Sequence, residues 1–249
     1  MSLVIKTGKD PDAAIGEAAQ VILKGGVVAV PTESFYGLAV DATNERAIKR
    51  LLEIKKRPPD NPILILVSSI RALEKHVRGI STTAQQLMER FWPGGLTIIF
   101  EAGPAISSLL TAGTGKIGVR LSSHPVPTEL SKIAGVPITG TSANLSGRPG
   151  CVTGEEIIKT FGDGVDLTLD EGETHGGRGS TILDATVNPP KILREGMVTR
   201  DQLGELLYFS RNEKCGPSGT GQEGRRSIRS YICPQPGNAR HGACTGMGR

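Results

Sequence analysis

Short apolar segments separated by helical patterns constrain the fold of this chain more than any other feature. VVAV (residues 27–30), ILILV (63–67) and LTIIF (96–100) are too uniformly apolar to alternate between core and solvent, which is typical of strands buried on both faces. Segments with helical spacing of apolar residues lie between them, the first after a capping Asp10 and the second after a capping Asn44. Because strands and helices interleave without a strict strand–helix–strand period, we predict an α/β fold, a twisted mixed sheet with helices packed around it.

The same patterns predict the remaining elements. Further strands are expected at residues 3–7, 117–121, 136–139, 180–185 and 191–195, and helices at 13–23, 45–57, 70–76 and 83–91. Two capping boxes, Thr153 with Glu156 and Thr199 with Gln202, open two more helices.

The second predicted helix has an unusual end. Its pattern closes in Lys55, Lys56 and Arg57, and Pro58-Pro59 follow directly. Cations at a helix C-terminus often only complement the helix dipole, but here they could instead face an anion held over the end of the next strand.

The composition fits one folded domain followed by a tail. The 249 residues are 37% hydrophobic and 22% charged, and no stretch approaches the roughly 20 apolar residues that a membrane helix needs. The first residues, MSLVIKTGKDPD, lack the apolar core of a signal peptide, so we expect a cytoplasmic protein.

Charge is distributed unevenly along the chain. Residues 208–249 contain seven Lys or Arg and two Asp or Glu, a net charge of +5, which leaves 22 basic and 23 acidic residues, a net charge of −1, for residues 1–207. The last segment is rich in Gly, Pro, Ser and Arg and has little apolar periodicity. We therefore predict one domain over residues 1–207 and a basic, disordered tail over 208–249.

Four potential zinc ligands, Cys215, Cys233, His241 and Cys244, lie in that tail. They lack the paired C-x-x-C spacing of structural zinc sites, so unpaired thiols are the simpler interpretation.

Familiar catalytic motifs are missing. AGTGKIG (112–118) is not a P-loop, because Ile117 follows Gly115-Lys116 where Ser or Thr is required. No G-x-G-x-x-G stands between a strand and a helix, and no G-x-S-x-G is present. His124 precedes Pro125 and is most simply a turn residue.

Polar residues instead collect where apolar strands begin or end. PTESFYGL (31–38) follows one strand, TGTSANLSG (139–147) follows a buried segment, and GRGST (177–181) opens a strand. Each has a local explanation as a turn or cap. Together, hydroxyls, amides and cations at strand ends predict an anion site built from several segments, as open α/β sheets favour.

These stretches, in order from about residue 13 to residue 207, resemble the YrdC-like family of threonylcarbamoyl-AMP synthases. The most specific signatures are K-x-R at 55–57 and S-x-N at 142–144, supported by PTES-x-YGL, RP-x-D-NP, WPGGLT, VR-x-SSHP, TSANLSG, GST and LR-x-G. Asn61, Gly95 and Arg178-Gly179 depart from the usual pattern beside these signatures, which are intact.

The resemblance implies a single YrdC-like domain with a concave, basic surface. It also implies an enzyme that joins L-threonine, bicarbonate and ATP into L-threonylcarbamoyl-AMP with release of pyrophosphate, using Mg²⁺ carried by ATP. A downstream transferase complex then delivers the threonylcarbamoyl group to adenosine 37 of tRNA, giving t6A, and tRNA or double-stranded RNA binding is possible.

Site residues follow from the same resemblance. By position, the catalytic pair is Lys55 and Arg57; the ATP-binding residues are Lys55, Arg57, Ser142, Asn144 and Arg194; and the threonine-binding residues are Thr32, Arg120 and Ser180. No metal-binding residues are expected. Lys55 would be a point charge near the phosphates, Arg57 a fork for phosphate oxygens, and Arg120 a partner for the threonine carboxylate.

Two alternatives stay open. A non-catalytic RNA-binding module of the same fold would suit the basic tail. A homologous domain runs the carbamoyl-adenylate step of hydrogenase maturation, beside acylphosphatase and zinc-finger regions. The intact K-x-R and S-x-N signatures favour the synthase.

Overall fold

The apolar stretches that predicted buried strands lie within a ten-stranded sheet. The computed structural model describes residues 2–8 and 10–204, which all belong to one compact unit, Met1–Lys214. The strands are β1 (Leu3–Lys6), β2 (Val28–Val30), β3 (Gly37–Ala39), β4 (Leu64–Leu66), β5 (Leu96–Glu101), β6 (Lys116–Arg120), β7 (Ile138–Ser142), β8 (Leu167–Asp170), β9 (Thr181–Asp184) and β10 (Lys191–Arg194).

Seven α-helices and one 3₁₀-helix connect these strands within the described residues. They are α1 (Pro11–Leu23), α2 (Glu45–Ile54), α3 (Ile70–Leu73), α4 (Thr82–Phe91), α5 (Ser108–Thr111), α6 (Pro125–Ala134), α7 (Gly154–Phe161) and the 3₁₀-helix Gly162–Gly164. Residues 200–204 are also helical.

The sheet is mixed, with the order β1-β8-β2-β3-β7-β4-β6-β5-β9-β10. Strand pairs β1/β8, β2/β8, β4/β6 and β5/β9 are parallel, and the other pairs are antiparallel. The predicted fold class, a mixed α/β sheet with helices around it, is therefore confirmed.

Helices cover the two faces of the sheet unequally. On one face, Val28 and Val30 pack with helices α1 and α6 in a cluster that takes its other strand residues from β3, β4, β7 and β8. The opposite face buries a larger cluster that includes Ile65, Ile98 and Val119. On the α1/α6 face, neither cluster covers β5, β6 and β9, and a cavity lies over them.

Helix α2 ends three residues earlier than predicted. The structure ends it at Ile54, and Lys56 takes a left-handed conformation with φ of 49°. The amides of Lys56 and Arg57 donate to the carbonyls of Glu53 and Leu52, both at 3.0 Å, which is a Schellman closure. Residues 55–57 therefore form a turn beyond the helix, and the prolines are not what ends it.

Four elements were missed in the sequence. Strands β3 and β8 are short, and helix α5 is a single turn. Helix α6 begins at a Pro-rich stretch that predicted a turn; its prolines lie in the first turn, where a missing N–H costs nothing. His124 is the N-cap of α6, because its Nδ1 accepts from the Val126 amide at 3.3 Å.

The capping residues behave as predicted. The Thr153 hydroxyl accepts from the Glu156 amide, and the Glu156 carboxylate accepts from Val152, one residue before the cap. Thr199 and Gln202 cap each other reciprocally. Over residues 2–8 and 10–204, no helix combines the length and apolar content needed to cross a bilayer.

Candidate active site

The cavity has a volume of about 650 Å³, large enough for a nucleotide-sized ligand. Its floor is formed by residues of β4, β5, β6, β7 and β9 on the α1/α6 face of the sheet. Alternate residues of each strand point toward one face of a sheet, and on β6 these are Lys116, Gly118 and Arg120. The loop over residues 31–36 forms part of its wall.

Two glycines leave room for leucine side chains at the centre of this floor. A Cβ at Gly140 would lie 2.5 Å from Leu64 Cδ1 and 2.8 Å from Leu66 Cγ, and one at Gly118 would lie 3.2 Å from Leu64 Cβ. Both leucines line the cavity. A side chain at either glycine would displace them, so the centre of the floor is apolar and closely packed.

Strand register gives the cavity two polar ends. On β4, Leu66 is paired with Arg120 of β6, and Leu64 is paired with Gly140 of β7. Because β7 runs antiparallel to β4, Ser142 lies beyond Leu64, on the side away from Arg120. Lys116 and Arg120 are four residues apart on one strand, which is about 13 Å. We call the end with Thr97, Arg120 and Ser180 the arginine end, and the end with Arg57, Lys116 and Ser142 the serine end.

Arg120 dominates the arginine end. It is 7% exposed, its Nε donates to the Gly94 carbonyl at 3.0 Å, and one Nη is paired with the Glu33 carboxylate. Burial, with the nearby charge of Arg194 second, lowers the pKa of Arg120 to about 10, so it is cationic at neutral pH. The sequence predicted that Arg120 would pair with a ligand carboxylate; the structure adds a protein carboxylate.

Hydroxyl groups complete the arginine end. Thr97 and Ser180 are buried side by side, with the Thr97 Oγ1 donating to the Ser180 Oγ at 2.8 Å. Arg194 donates to the Ser180 carbonyl at 2.8 Å. The Thr32 hydroxyl lines the cavity and donates to the Phe35 carbonyl at 2.6 Å, which fixes the turn of its own loop.

At the serine end, the S-x-N signature is internally bonded. The Ser142 Oγ donates to Asn144 Oδ1 at 2.7 Å, and Asn144 Nδ2 donates to the Arg148 carbonyl at 2.6 Å. Arg57 Nε and Nη2 donate to the carbonyls of Asn61 and Pro62, at 3.1 and 2.7 Å. These contacts hold Arg57 at the level of Ser142 on the cavity wall.

Lys55 lies behind this wall rather than on it. It is 1% exposed, and its Nζ donates to the Ser142 carbonyl at 2.5 Å, the Asn144 carbonyl at 2.8 Å and Asn144 Oδ1 at 3.1 Å. Burial, with the charge of Arg57 second, lowers the pKa of Lys55 to about 7. Three acceptors use the three donors of an ammonium, so Lys55 ties the S-x-N segment to the K-x-R turn.

The structure therefore brings the predicted residues to one place. Six of them line the cavity: Thr32, Arg57, Arg120, Ser142, Ser180 and Arg194. The other two, Lys55 and Asn144, contact Ser142 through the hydrogen bonds given above.

Two polar residues that line the cavity, Lys116 at the serine end and Asp184 level with Gly118, were not predicted. The Lys116 ammonium is 3.1 Å from the Asp184 carboxylate, and both line the cavity. Asp184 also accepts from the Thr186 amide and hydroxyl, at 2.9 and 2.6 Å. Lys116 belongs to the segment rejected as a P-loop, and its alternation with Arg120 along KIGVR is the signal that could have identified it.

The described residues offer no metal cage. No group of three or more His, Cys, Asp or Glu side chains among them is arranged to hold an ion. The predicted zinc alternative at Cys215, Cys233, His241 and Cys244, and the tail over 208–249, lie outside the described residues.

A mixed sheet with a nucleotide-sized, cation-lined cavity on one face defines a class of α/β anion-binding domains. The family model described as "Sua5_yciO_yrdC: Telomere recombination" matches residues 20–196, and the chain belongs to this family.

Individual relatives agree with that membership. Over 190 residues the chain is 35% identical to a threonylcarbamoyl-AMP synthase of Pyrococcus abyssi, covering 76% of this chain and 56% of that protein. Over 183 residues it is 37% identical to one of Vibrio cholerae, covering 72% of this chain and 96% of that protein. The chain thus spans little more than half of the archaeal relative and nearly all of the bacterial one.

A solved structure resembles the fold closely. The crystal structure of P. abyssi Sua5 complexed with L-threonine superposes with a TM-score of 0.76 at 34% identity, covering 83% of this chain and 60% of that one. That structure contains L-threonine as a bound ligand.

Proposed function

We propose that this chain is an enzyme that makes L-threonylcarbamoyl-AMP from L-threonine, bicarbonate and ATP, releasing pyrophosphate, as the first step of t6A37 formation in tRNA. The observation that carries the proposal is a single cavity with two polar ends. Arg57 and Ser142 lie at one end, and Arg120 and Ser180 lie at the other. The names of the relatives and the threonine bound to the P. abyssi structure support it.

The arrangement suits a reaction whose partners are mostly anionic. Threonine would lie at the arginine end, with Arg120 toward its carboxylate and the hydroxyls of Thr32 and Ser180 beside it. ATP would lie at the serine end, where Arg57 supplies a planar cation for phosphate oxygens. The carbamate formed from threonine and bicarbonate would then face the α-phosphate over the apolar centre of the floor.

Catalysis in such a site comes from placement and charge. Holding two anions in line removes the entropic cost of their meeting, and buried cations stabilise charge that develops on phosphate. The half-buried Arg57 would fill that second role at the serine end, whereas Arg194, which was predicted to bind ATP, lies beside Ser180 at the arginine end. Lys55 would act through Ser142 and Asn144, by keeping the nucleotide-contacting segment in one conformation.

Magnesium fits this site as an ion carried by ATP. Asp184 is the one carboxylate among the residues lining the cavity, and Lys116 and Thr186 already engage it. Mg²⁺ bound to the phosphates and water needs no protein cage, and it would reduce the negative charge on the phosphates.

The proposed setting follows from the product. The adenylate is a labile mixed anhydride, so a transferase complex that modifies tRNA would have to use it nearby, and the setting that we propose is the cytoplasm. Residues 1–207 would suffice as the catalytic domain, because the matched V. cholerae relative is covered almost entirely by this chain.

The deciding experiment measures pyrophosphate release from ATP, with threonine and bicarbonate each present or omitted. The proposal requires release only when both are present, and an Arg57→Ala control should be slow. If ATP is untouched under all conditions while tRNA binds with a steep salt dependence, the chain is an RNA-binding module instead.

A further inference from the structure

We propose that Glu33 is a positioning residue that makes the arginine end select a zwitterionic amino acid over a simple carboxylate. This inference rests on the proposed function and concerns the same cavity. Glu33 follows Thr32 in the PTES segment and was not predicted as a site residue.

The Glu33 carboxylate is held at both oxygens. One oxygen is paired with an Nη of Arg120, and the other accepts from the Ser122 hydroxyl at 2.7 Å. The side chains of Arg120 and Glu33 are only 8% and 11% exposed. A carboxylate with two fixed donors in a buried setting has one orientation, and so has the guanidinium that it contacts.

This pairing leaves one Nη of Arg120 without a bond to the described residues. Its Nε is engaged by the Gly94 carbonyl and one Nη by Glu33, whereas the other Nη has no partner among the described residues. Because Arg120 lines the cavity, both hydrogens of that Nη are available to a bound carboxylate. Glu33 therefore decides which edge of the guanidinium faces the ligand.

Glu33 itself stands behind the cavity wall. Its neighbours Thr32 and Ser34 line the cavity, but Glu33 does not. It acts through Arg120 and through charge rather than by contact with the ligand, which is why we assign it a positioning role.

Charge explains the selectivity. Arg194 donates to the Ser180 carbonyl at this end, and its charge contributes to the lowered pKa of Arg120, so without Glu33 the arginine end would carry two neighbouring cations. Such a site would attract any anion and repel the ammonium group of an amino acid. One buried carboxylate offsets Arg120 and removes the repulsion, while the free Nη still donates to the substrate carboxylate.

The test compares full-length wild type with E33Q, which keeps the shape of the side chain and removes its charge. Calorimetry gives the affinity for L-threonine and for (R)-3-hydroxybutyrate, which lacks only the amino group. We expect threonine affinity to fall at least about tenfold in E33Q and hydroxybutyrate affinity to stay or rise. The KM for ATP should change by less than about twofold.

Two variants serve as controls. E33D keeps the charge with a shorter reach, and it should retain the wild-type ratio of the two affinities. E171Q removes another partly buried carboxylate, one that contacts Thr7 and His124 rather than Arg120, and it should leave the ratio unchanged.

Each outcome has a distinct meaning. An unchanged ratio in E33Q, or a parallel loss of threonine affinity, ATP affinity and melting temperature, overturns the inference. Wild type that binds threonine selectively but forms no adenylate overturns the proposed function alone. Wild type that does not bind threonine overturns both.

Discussion

Thr97 and Ser180 form a pair of buried hydroxyls at the arginine end of the cavity, with the Thr97 Oγ1 donating to the Ser180 Oγ at 2.8 Å. The two residues come from neighbouring parallel strands, β5 and the start of β9, that are far apart in the sequence. Since Thr97 donates, the hydrogen of Ser180 stays available for a ligand.

The first prediction concerns this pair. Thr97→Val keeps the shape and removes the donor, so threonine affinity should fall several-fold and stability should fall by about 1 kcal/mol. Thr168→Val is the matched control, because Thr168 Oγ1 is buried without a hydrogen-bond partner among residues 2–8 and 10–204, and its removal should stabilise the protein. Melting curves with and without threonine measure both effects. If Thr97→Val and Thr168→Val shift the stability in the same direction, Thr97 is not a stabilising hydrogen-bond donor.

The second prediction concerns Lys55 and pH. The folded pKa is about 7, below the ordinary value of 10.5, so between these values the unfolded chain binds a proton that the folded chain releases. Stability from this group is therefore present above pH 10.5 and lost as pH falls toward 7. Relative to Lys55→Met, wild type should gain unfolding free energy from pH 7 to 10 in urea titrations. Parallel curves for the two proteins would show that the Lys55 pKa is not lowered.

The third prediction tests the phosphate-binding assignment of Arg57. Arg57→Ala should reduce adenylate formation at least about tenfold, or about 1.4 kcal/mol of barrier, because Arg57 is the only guanidinium at the serine end among the described residues that line the cavity. Lys55→Ala should cost at least as much and should also lower the melting temperature. Lys56→Ala, which changes the exposed neighbour, is the control. Near-normal rates in both Arg57→Ala and Lys55→Ala would remove the assignment.

The fourth prediction compares alanine substitutions at two glycines, Gly196 and Gly16. A Cβ at Gly196 would lie 2.1 Å from the Gly179 carbonyl oxygen and 2.6 Å from Ser180 C, which are backbone atoms that cannot move cheaply. Gly196→Ala should therefore destabilise the protein by about 3 kcal/mol and weaken threonine binding. Gly16 lies within helix α1 with nothing within 4 Å of an added Cβ, so Gly16→Ala should stabilise by about 0.5–1 kcal/mol with unchanged activity. Chemical denaturation of both variants settles the comparison.

The fifth prediction concerns the domain boundary. A chain ending after Leu207 should keep both the rate of pyrophosphate release and the melting temperature of the full chain. A substantial loss of either would show that residues 208–249 belong to the working protein.

Aliphatic pattern alone located most of the sheet. Segments such as ILILV and LTIIF are almost uniformly apolar, so their place in the sheet was predictable. The expected burial on both faces does not hold for LTIIF, because Ile98 packs in the core whereas Ile99 lines the cavity. Helix α6 was not, because Pro125 and Pro127 resemble a turn in sequence and only the cap at His124 shows that they open a helix. The end of α2 was missed because a lysine, not a glycine, takes the left-handed position.

Several predicted site residues converge because they lie at the ends of strands that form the cavity floor: Arg120 ends β6, Ser142 ends β7 and Ser180 precedes β9. What the sequence could not indicate is which groups they contact. Lys55 meets carbonyls 87 and 89 residues away, so its position behind the wall depends on tertiary packing. Glu33 is an acidic residue inside a predicted anion site, and a search for cations and hydroxyls passes over it.

The register of β6 fixes a length as well as a set of contacts. Lys116 and Arg120 lie about 13 Å apart on one stiff strand, with an apolar centre between them. With the proposed function, threonine and the adenylate part of ATP would lie end to end along this floor, each touching one end. The compound that joins them touches both ends, so it should be held more tightly than either reactant. This predicts that departure of the product, rather than bond formation, limits turnover unless an acceptor draws the product away.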